Sequence, residues 1–175
     1  MRRQIEAALE VLVGKPLWGA DRTSILQWFH FGERRTATRR NGRQVEVGEY
    51  ALHVQCAWRL GSPTSIIVAS ADRHLAAGED PFKEHESFQW DRPGANRADE
   101  RLAAFFADFA ERGEGAPVVE GVRADSVGGF QLTLSGGLTL DVFPDHSLPG
   151  EHWRLFSPGV DAEHFVVTGE GIETG

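Results

Sequence analysis

The chain is 175 residues long, 41% hydrophobic and 25% charged, with a net charge of −8 at neutral pH. That length supports a buried core without disulfides or structural metal, and a lone cysteine, Cys56, excludes an intramolecular bridge. Residues 1–99 hold 14 basic and 13 acidic side chains while residues 100–175 hold 4 and 13, which argues against general nucleic-acid binding.

The opening Met1-Arg2-Arg3-Gln4-Ile5-Glu6 lacks the apolar core of a secretory signal, and no apolar run is long enough to span a bilayer. A cytoplasmic location is expected. Residues 2–13 have the spacing of a helix, with Ile5, Ala8, Leu9 and Leu12 on one face. Gly14 and Pro16 end it, and Leu17-Trp18 follows as an apolar plug.

Residues 23–32 are rich in strand formers. Ile25, Gln27, Phe29 and Phe31 share one face and Ser24, Leu26, Trp28 and His30 the other, so an interior strand covered on both sides is predicted. His30 reads as a hydrogen-bonded structural histidine. Next comes a basic hairpin with Arg34, Arg35, Arg39, Arg40 and Arg43 around an Asn41-Gly42 turn. With 16 arginines and only two lysines in the chain, that local basicity is weak evidence for a binding surface.

A strand is predicted over 50–60, with Leu52, Val54, Cys56 and Trp58 inward and Ala51, His53, Gln55, Ala57 and Arg59 outward. Turn chemistry at Gly61-Ser62-Pro63 predicts an antiparallel partner over 64–70. Residues 76–98 form a long polar loop, and 98–112 a second helix capped by Asp99, with Leu102, Phe105, Phe106 and Phe109 as its packing face. Strands follow at 118–125, 130–135, 138–143, 152–156 and 164–168.

Trp58-Arg59-Leu60 is echoed by Trp153-Arg154-Leu155. Leu52-His53-Val54 then aligns with Leu140-Asp141-Val142, and Ile66-Ile67-Val68 with Phe165-Val166-Val167. The expected fold is therefore a single α+β domain over 1–175, with two helices packed on mainly antiparallel sheet. Units 2–70 and 98–168, joined by 71–97, would be related by a pseudo-twofold duplication.

Two constellations stand out. Asp145-His146 with Glu151-His152, joined by His164, sets carboxylates beside imidazoles in a loop present only in the second unit. The spacing matches no zinc signature, so no metal or cofactor is assigned. Arg59 and Arg154 are expected either to pair with Glu49 and Glu151 or to meet at the seam of the two units, forming a pocket with Trp58 and Trp153. Cys56 and His53 lie on opposite faces of their strand and make no dyad. The candidate ligand- or partner-binding residues are thus Arg59, Arg154, Asp145, His146, Glu151 and His152, with none assigned as catalytic.

The phrases Gly14-Lys15-Pro16-Leu17-Trp18, Leu26 to Gly32, Gly48 to Arg59 and Glu151 to Phe156 resemble a group of bacterial proteins of unknown function, over nearly the whole chain. The resemblance implies a bacterial stand-alone domain and carries no activity. The leading expectation is a non-enzymatic binding protein of the immunity-protein kind, with a protein as partner. Its rivals are a small hydrolase or metal-dependent enzyme using the 145–152 loop, and a small-ligand binder at the seam. Membrane and nucleic acid are not expected as partners, and self-association is left open.

Overall fold

A computed structural model of the chain describes residues 1–38, 42–78, 80 and 88–174. It is α+β, with two helices and eleven strands in two antiparallel sheets. Helix α1 (Arg2–Leu9) runs into a 3-10 turn (Glu10–Leu12) and seals Ile5, Leu9 and Leu12 into the core. The first sheet has six strands in the order β1 (Leu17–Thr23), β2 (Leu26–Thr38), β3 (Gln44–Val54), β9 (Glu151–Phe156), β10 (Phe165–Thr168) and β11 (Gly171–Thr174). The second has five, in the order β5 (Ile66–Ala69), β4 (Ala57–Gly61), β8 (Leu138–Phe143), β7 (Phe130–Leu134) and β6 (Val119–Ala124). Among the described residues no helix is long and apolar enough to cross a membrane.

The sheets share one hydrophobic core. Phe29 of β2 meets Trp58 of β4 edge to face at 5.2 Å, and Phe130 of β7 meets Trp153 of β9 at 4.8 Å. Aromatic pairs in this geometry add to the burial of their area. Helix α2 (Arg97–Glu111) packs on β5, β1 and the turn after β5, inserting Leu102 and Phe105. Glu6 of α1 accepts a hydrogen bond from the Ala124 amide, which fastens that helix to the end of β6.

The strand predicted over 23–32 is β2, interior to the first sheet between β1 and β3, though it starts at Leu26 and runs on to Thr38. Ser24, at φ 53°, turns the chain between β1 and β2, so Leu17-Trp18 begins an edge strand rather than forming a plug. Serine is not a common left-handed residue, and no glycine or proline marks the turn. The strand predicted over 50–60 breaks at Gln55-Cys56. Residues up to Val54 belong to the first sheet, and those from Ala57 to the second. Cys56 stays buried across the crossing, so the apolar alternation runs through the break unmarked. The cap of α2 is Asn96, whose side chain accepts the Asp99 amide at 2.9 Å, not Asp99. The Asn41 turn and the stretch 81–87, with Glu84-His85-Glu86, lie outside the described residues.

The pairings relate the two halves of the chain. Leu52, His53 and Val54 stand opposite Leu155, Arg154 and Trp153, while Leu140, Asp141 and Val142 stand opposite Leu60, Arg59 and Trp58. The third aligned segment is displaced by two residues, since Leu60 faces Val68 but Leu155 faces Phe165. The strand order of one sheet matches that of the other with the halves exchanged, up to the added β11. This is a correspondence of pairing.

Candidate functional site

The six anticipated residues fall in three separate places. Trp58 and Leu60 point into the core from the second sheet, and Trp153 and Leu155 from the first, so Arg59 and Arg154 leave on opposite outer faces. No shared seam pocket joins them. Arg59 pairs with Asp141 at 2.9 Å rather than with Glu49, which is held by Lys15 at 2.8 Å. Arg154 pairs with Glu151 as anticipated, through Nε at 2.7 Å and a second contact from its Nη2.

The 144–150 loop brings His146 and His152 together, ring centroids 4.6 Å apart. His152 is 2% exposed and its Nδ1 has no hydrogen-bond partner among the described residues. Burial, then the charge of His146, lowers its pKa. Its carbonyl accepts the amides of Gln55 and Cys56, so the start of β9 braces the crossing between sheets. Burial drives the Cys56 thiol up to about 12, which keeps it protonated and unsuited to nucleophilic attack. Among the described residues no group of three or more histidine, cysteine, aspartate or glutamate side chains is placed to hold a metal.

A more developed site lies on the outer face of the six-stranded sheet. Because side chains alternate along a strand, the residues opposite the core-facing Phe29, Phe31, Leu52 and Val54 are Trp28, His30, Ala51 and His53. They make a ladder across β2, β3 and β9. Trp28 lies 5.2 Å from His53, His53 lies 4.6 Å from Phe156, and Phe156 stacks on His164 at 4.5 Å. Beside it His30 stacks on Trp18 at 5.1 Å, and the Arg34 guanidinium covers that tryptophan at 4.3 Å.

The β2–β3 hairpin does not continue flat. Its register shifts between Phe31 and Arg34, where Gly32 takes φ +77°, and Gly48 opposite is pressed against the Phe31 backbone. The far half of the hairpin thereby lines the same hollow as the ladder. This hollow, about 600 Å³, is bounded by Trp28, His30, His53 and Phe156 on the sheet and by Ala37, Thr38 and residues 43–47 on the hairpin. That volume is in the range of small-molecule sites.

Both histidines are held neutral. Burial lowers the His30 pKa against the opposing charge of Asp21, and burial, then Arg154, brings His53 down to about 4. The Gly48 amide donates to His30 Nδ1 at 3.2 Å, which leaves the ring proton on Nε2. His53 makes no hydrogen bond among the described residues, and Trp28 Nε1 is buried without a partner there. Sequence patterning places Trp28 and His30 on one face of their strand and His53 on the outer face of its own, and the β2–β3 pairing brings the three together. What patterning does not reveal is the bend at residues 32–33, which converts that face into a concavity.

No known family model matches the chain, and no curated protein or solved structure matches it either.

Proposed function

We propose that the protein is a non-enzymatic binding protein that takes a small molecule into the hollow between the β2–β3 hairpin and the outer face of the six-stranded sheet. The observation that carries this reading is the Trp28–His53–Phe156 ladder forming the floor of a hollow of about 600 Å³. Ligand pockets are typically concave with aromatic walls and placed polar groups; this hollow is aromatic along the sheet, with Asp21, Arg43, Gln44 and Glu46 also in its lining. Binding is favoured over acid–base chemistry because an imidazole with a pKa of about 4 is a weak base at neutral pH.

The test is retention of a ligand. Purified protein is incubated with a small-molecule extract of bacterial cells, desalted, denatured and examined by mass spectrometry. The control is Ala37→Trp, which builds an indole into the hairpin wall and leaves the sheet floor untouched. Wild type should retain a compound that the folded variant does not. Retention of nothing, or equal retention by both, would overturn the reading.

The anticipated protein-binding role is a second reading, supported by a different place. Val127 and Leu148, on loops, are 73% and 66% exposed and Phe143, at the end of β8, is 42% exposed, with Gly128 against Pro144 between them. A group of exposed apolar side chains on the acidic half of the chain suits contact with a protein. Val127→Asp with Leu148→Asp should abolish capture of such a partner while leaving small-molecule retention intact.

A further inference from the structure

Resting on the small-molecule reading, we infer that the hollow selects a planar, uncharged nitrogen heteroaromatic, its ring laid against Trp28 and Phe156 and its polar edge hydrogen-bonded to His53 and His30. Three observations determine the class.

The first is shape. The sheet side of the hollow offers ring faces and edges, from Trp28, His53 and Phe156, spaced 4.6–5.2 Å between centroids. Ala37, Val45, Val47, Ala51 and Pro158 add small and aliphatic surface beside these rings, and Asp21, Thr38, Arg43, Gln44 and Glu46 complete the lining. Flat aromatic ligands match such a floor because offset and edge-to-face contacts use its whole surface.

The second is charge placement. Asp21, Arg43 and Glu46 are all exposed at the rim, so it carries both signs of charge; Glu46 is paired with Arg34 at 3.2 Å, and Asp21 accepts the Arg22 amide at 2.8 Å. Exposed carboxylates act weakly across solvent. The floor holds the two neutral imidazoles instead. A charged ligand seated there would lose hydration without gaining a counter-ion on the floor, whereas a neutral one loses little.

The third is hydrogen-bonding capacity. His30 already uses Nδ1 on the Gly48 amide, so it presents only a donor, Nε2–H. The neutral His53 ring, without a partner among the described residues, offers one donor and one acceptor. A ring nitrogen beside an amino or amide group supplies the complementary set. A hydrocarbon ring would leave both histidines unanswered.

The experiment uses three probes with one ring and three charges: nicotinamide, nicotinate and 1-methylnicotinamide. Adenine is added as a larger neutral ring. Each is titrated calorimetrically into the full chain and into His53→Phe, which keeps an aromatic ring against Phe156 but removes both nitrogens. Nicotinamide or adenine should bind about tenfold more tightly than either charged probe, a ratio within reach of one mismatched group. His53→Phe should weaken the neutral probe by about fivefold, the effect of one neutral hydrogen bond. Ala37→Trp should abolish it.

A charged probe binding as tightly as nicotinamide would overturn the assignment of class. So would a neutral probe unaffected by both variants, or failure of both neutral rings to bind. The binding reading has its own criterion. If both neutral rings fail while wild type still retains an extract compound that Ala37→Trp loses, only the ligand class falls. If nothing is retained, both fall.

Discussion

His53 on β3 stands directly opposite Arg154 on β9, yet the guanidinium is committed to Glu151 and the imidazole is left without an ionic partner. At the corresponding place in the other sheet Arg59 stands opposite Asp141, and the two form an ion pair at 2.9 Å. The same pairing position thus carries a salt bridge on one outer face and a neutral ring on the other. The difference follows from what covers each strand. His53 lines the hollow beside the hairpin and is part-buried, while Arg59 is half open to solvent.

Because burial outweighs the other influences on His53, its folded pKa, about 4, lies below the ordinary 6.5. The unfolded chain therefore takes up the proton first as pH falls. Stability from this group is fully present above 6.5 and is lost between about 6.5 and 4, with a slope of at most about 1.4 kcal/mol per pH unit. Arg154, His30 and His164 act in the same direction and Glu151 against it. A histidine NMR titration should show one ring without a midpoint above pH 5, and urea melts of His53→Gln should have a shallower acid limb. A normal midpoint for His53 would refute the buried, neutral assignment.

Trp58 and Trp153 are equally buried but differ in their nitrogens. Trp153 Nε1 donates to the Gly128 carbonyl at 2.7 Å, whereas Trp58 Nε1 has no partner among the described residues. Trp153→Phe leaves a smaller ring and a stranded carbonyl, and should cost about 3 kcal/mol. Trp58→Phe leaves only the smaller ring while removing an unsatisfied donor, and should cost about 1–2 kcal/mol. Equal losses in denaturant melts would mean that the Gly128 bond contributes nothing.

Much of the fold was legible because apolar spacing is written locally. Ile5 and Leu9, Leu102 and Phe105, and Leu132 and Leu134 are buried where their periods place them. The alignment of Leu52-His53-Val54 with Leu140-Asp141-Val142 agrees with the observed pairing, while the third aligned segment is displaced by two residues. The boundaries that were missed have no local mark. A serine makes the β1–β2 turn, and the change of sheet at Gln55-Cys56 interrupts no alternation. The hollow was hidden for a related reason. Trp28 and His30 share one face of their strand and His53 lies on the outer face of its own, and only the hairpin bend, a tertiary event set by Gly32 and Gly48, brings Ala37, Thr38 and residues 43–47 beside them.

That bend makes Gly48 a sharp test. A Cβ there would lie 2.5 Å from the Tyr50 carbonyl oxygen and 2.8 Å from the Phe31 amide nitrogen. Both are backbone atoms of paired strands, so neither can rotate away. Gly48→Ala should cost about 3 kcal/mol, the upper part of the range for overpacking. Gly121→Ala, with no atom within 4 Å of its added carbon, should be neutral or stabilising by about 0.5 kcal/mol. Comparable thermal midpoints for the two variants would show that the hairpin tolerates a different bend.

Arg22 on β1 makes the most connected ion pair in the described structure's first sheet. Its Nε and Nη2 grip Asp99 at 2.6 and 2.8 Å, Nη1 reaches Asp91 at 3.3 Å, and Nη2 also meets the carbonyls of Trp90 and Arg92. Only 8% of the side chain is exposed. Asp99 in turn accepts the Gly94 amide, and Asn96 ties the Trp90 carbonyl to the start of α2. One planar fork therefore joins β1, residues 90–94 and the helix that covers β5. Lysine keeps the charge but cannot present several donors in a plane, so Arg22→Lys should cost about 1–2 kcal/mol, and Arg22→Ala, which strands the part-buried Asp99, about 3 kcal/mol. Hydrogen exchange should accelerate in residues 88–96 before any other described segment in both variants. If Arg22→Lys exchanged like wild type there, charge alone would hold this loop and the fork geometry would be dispensable.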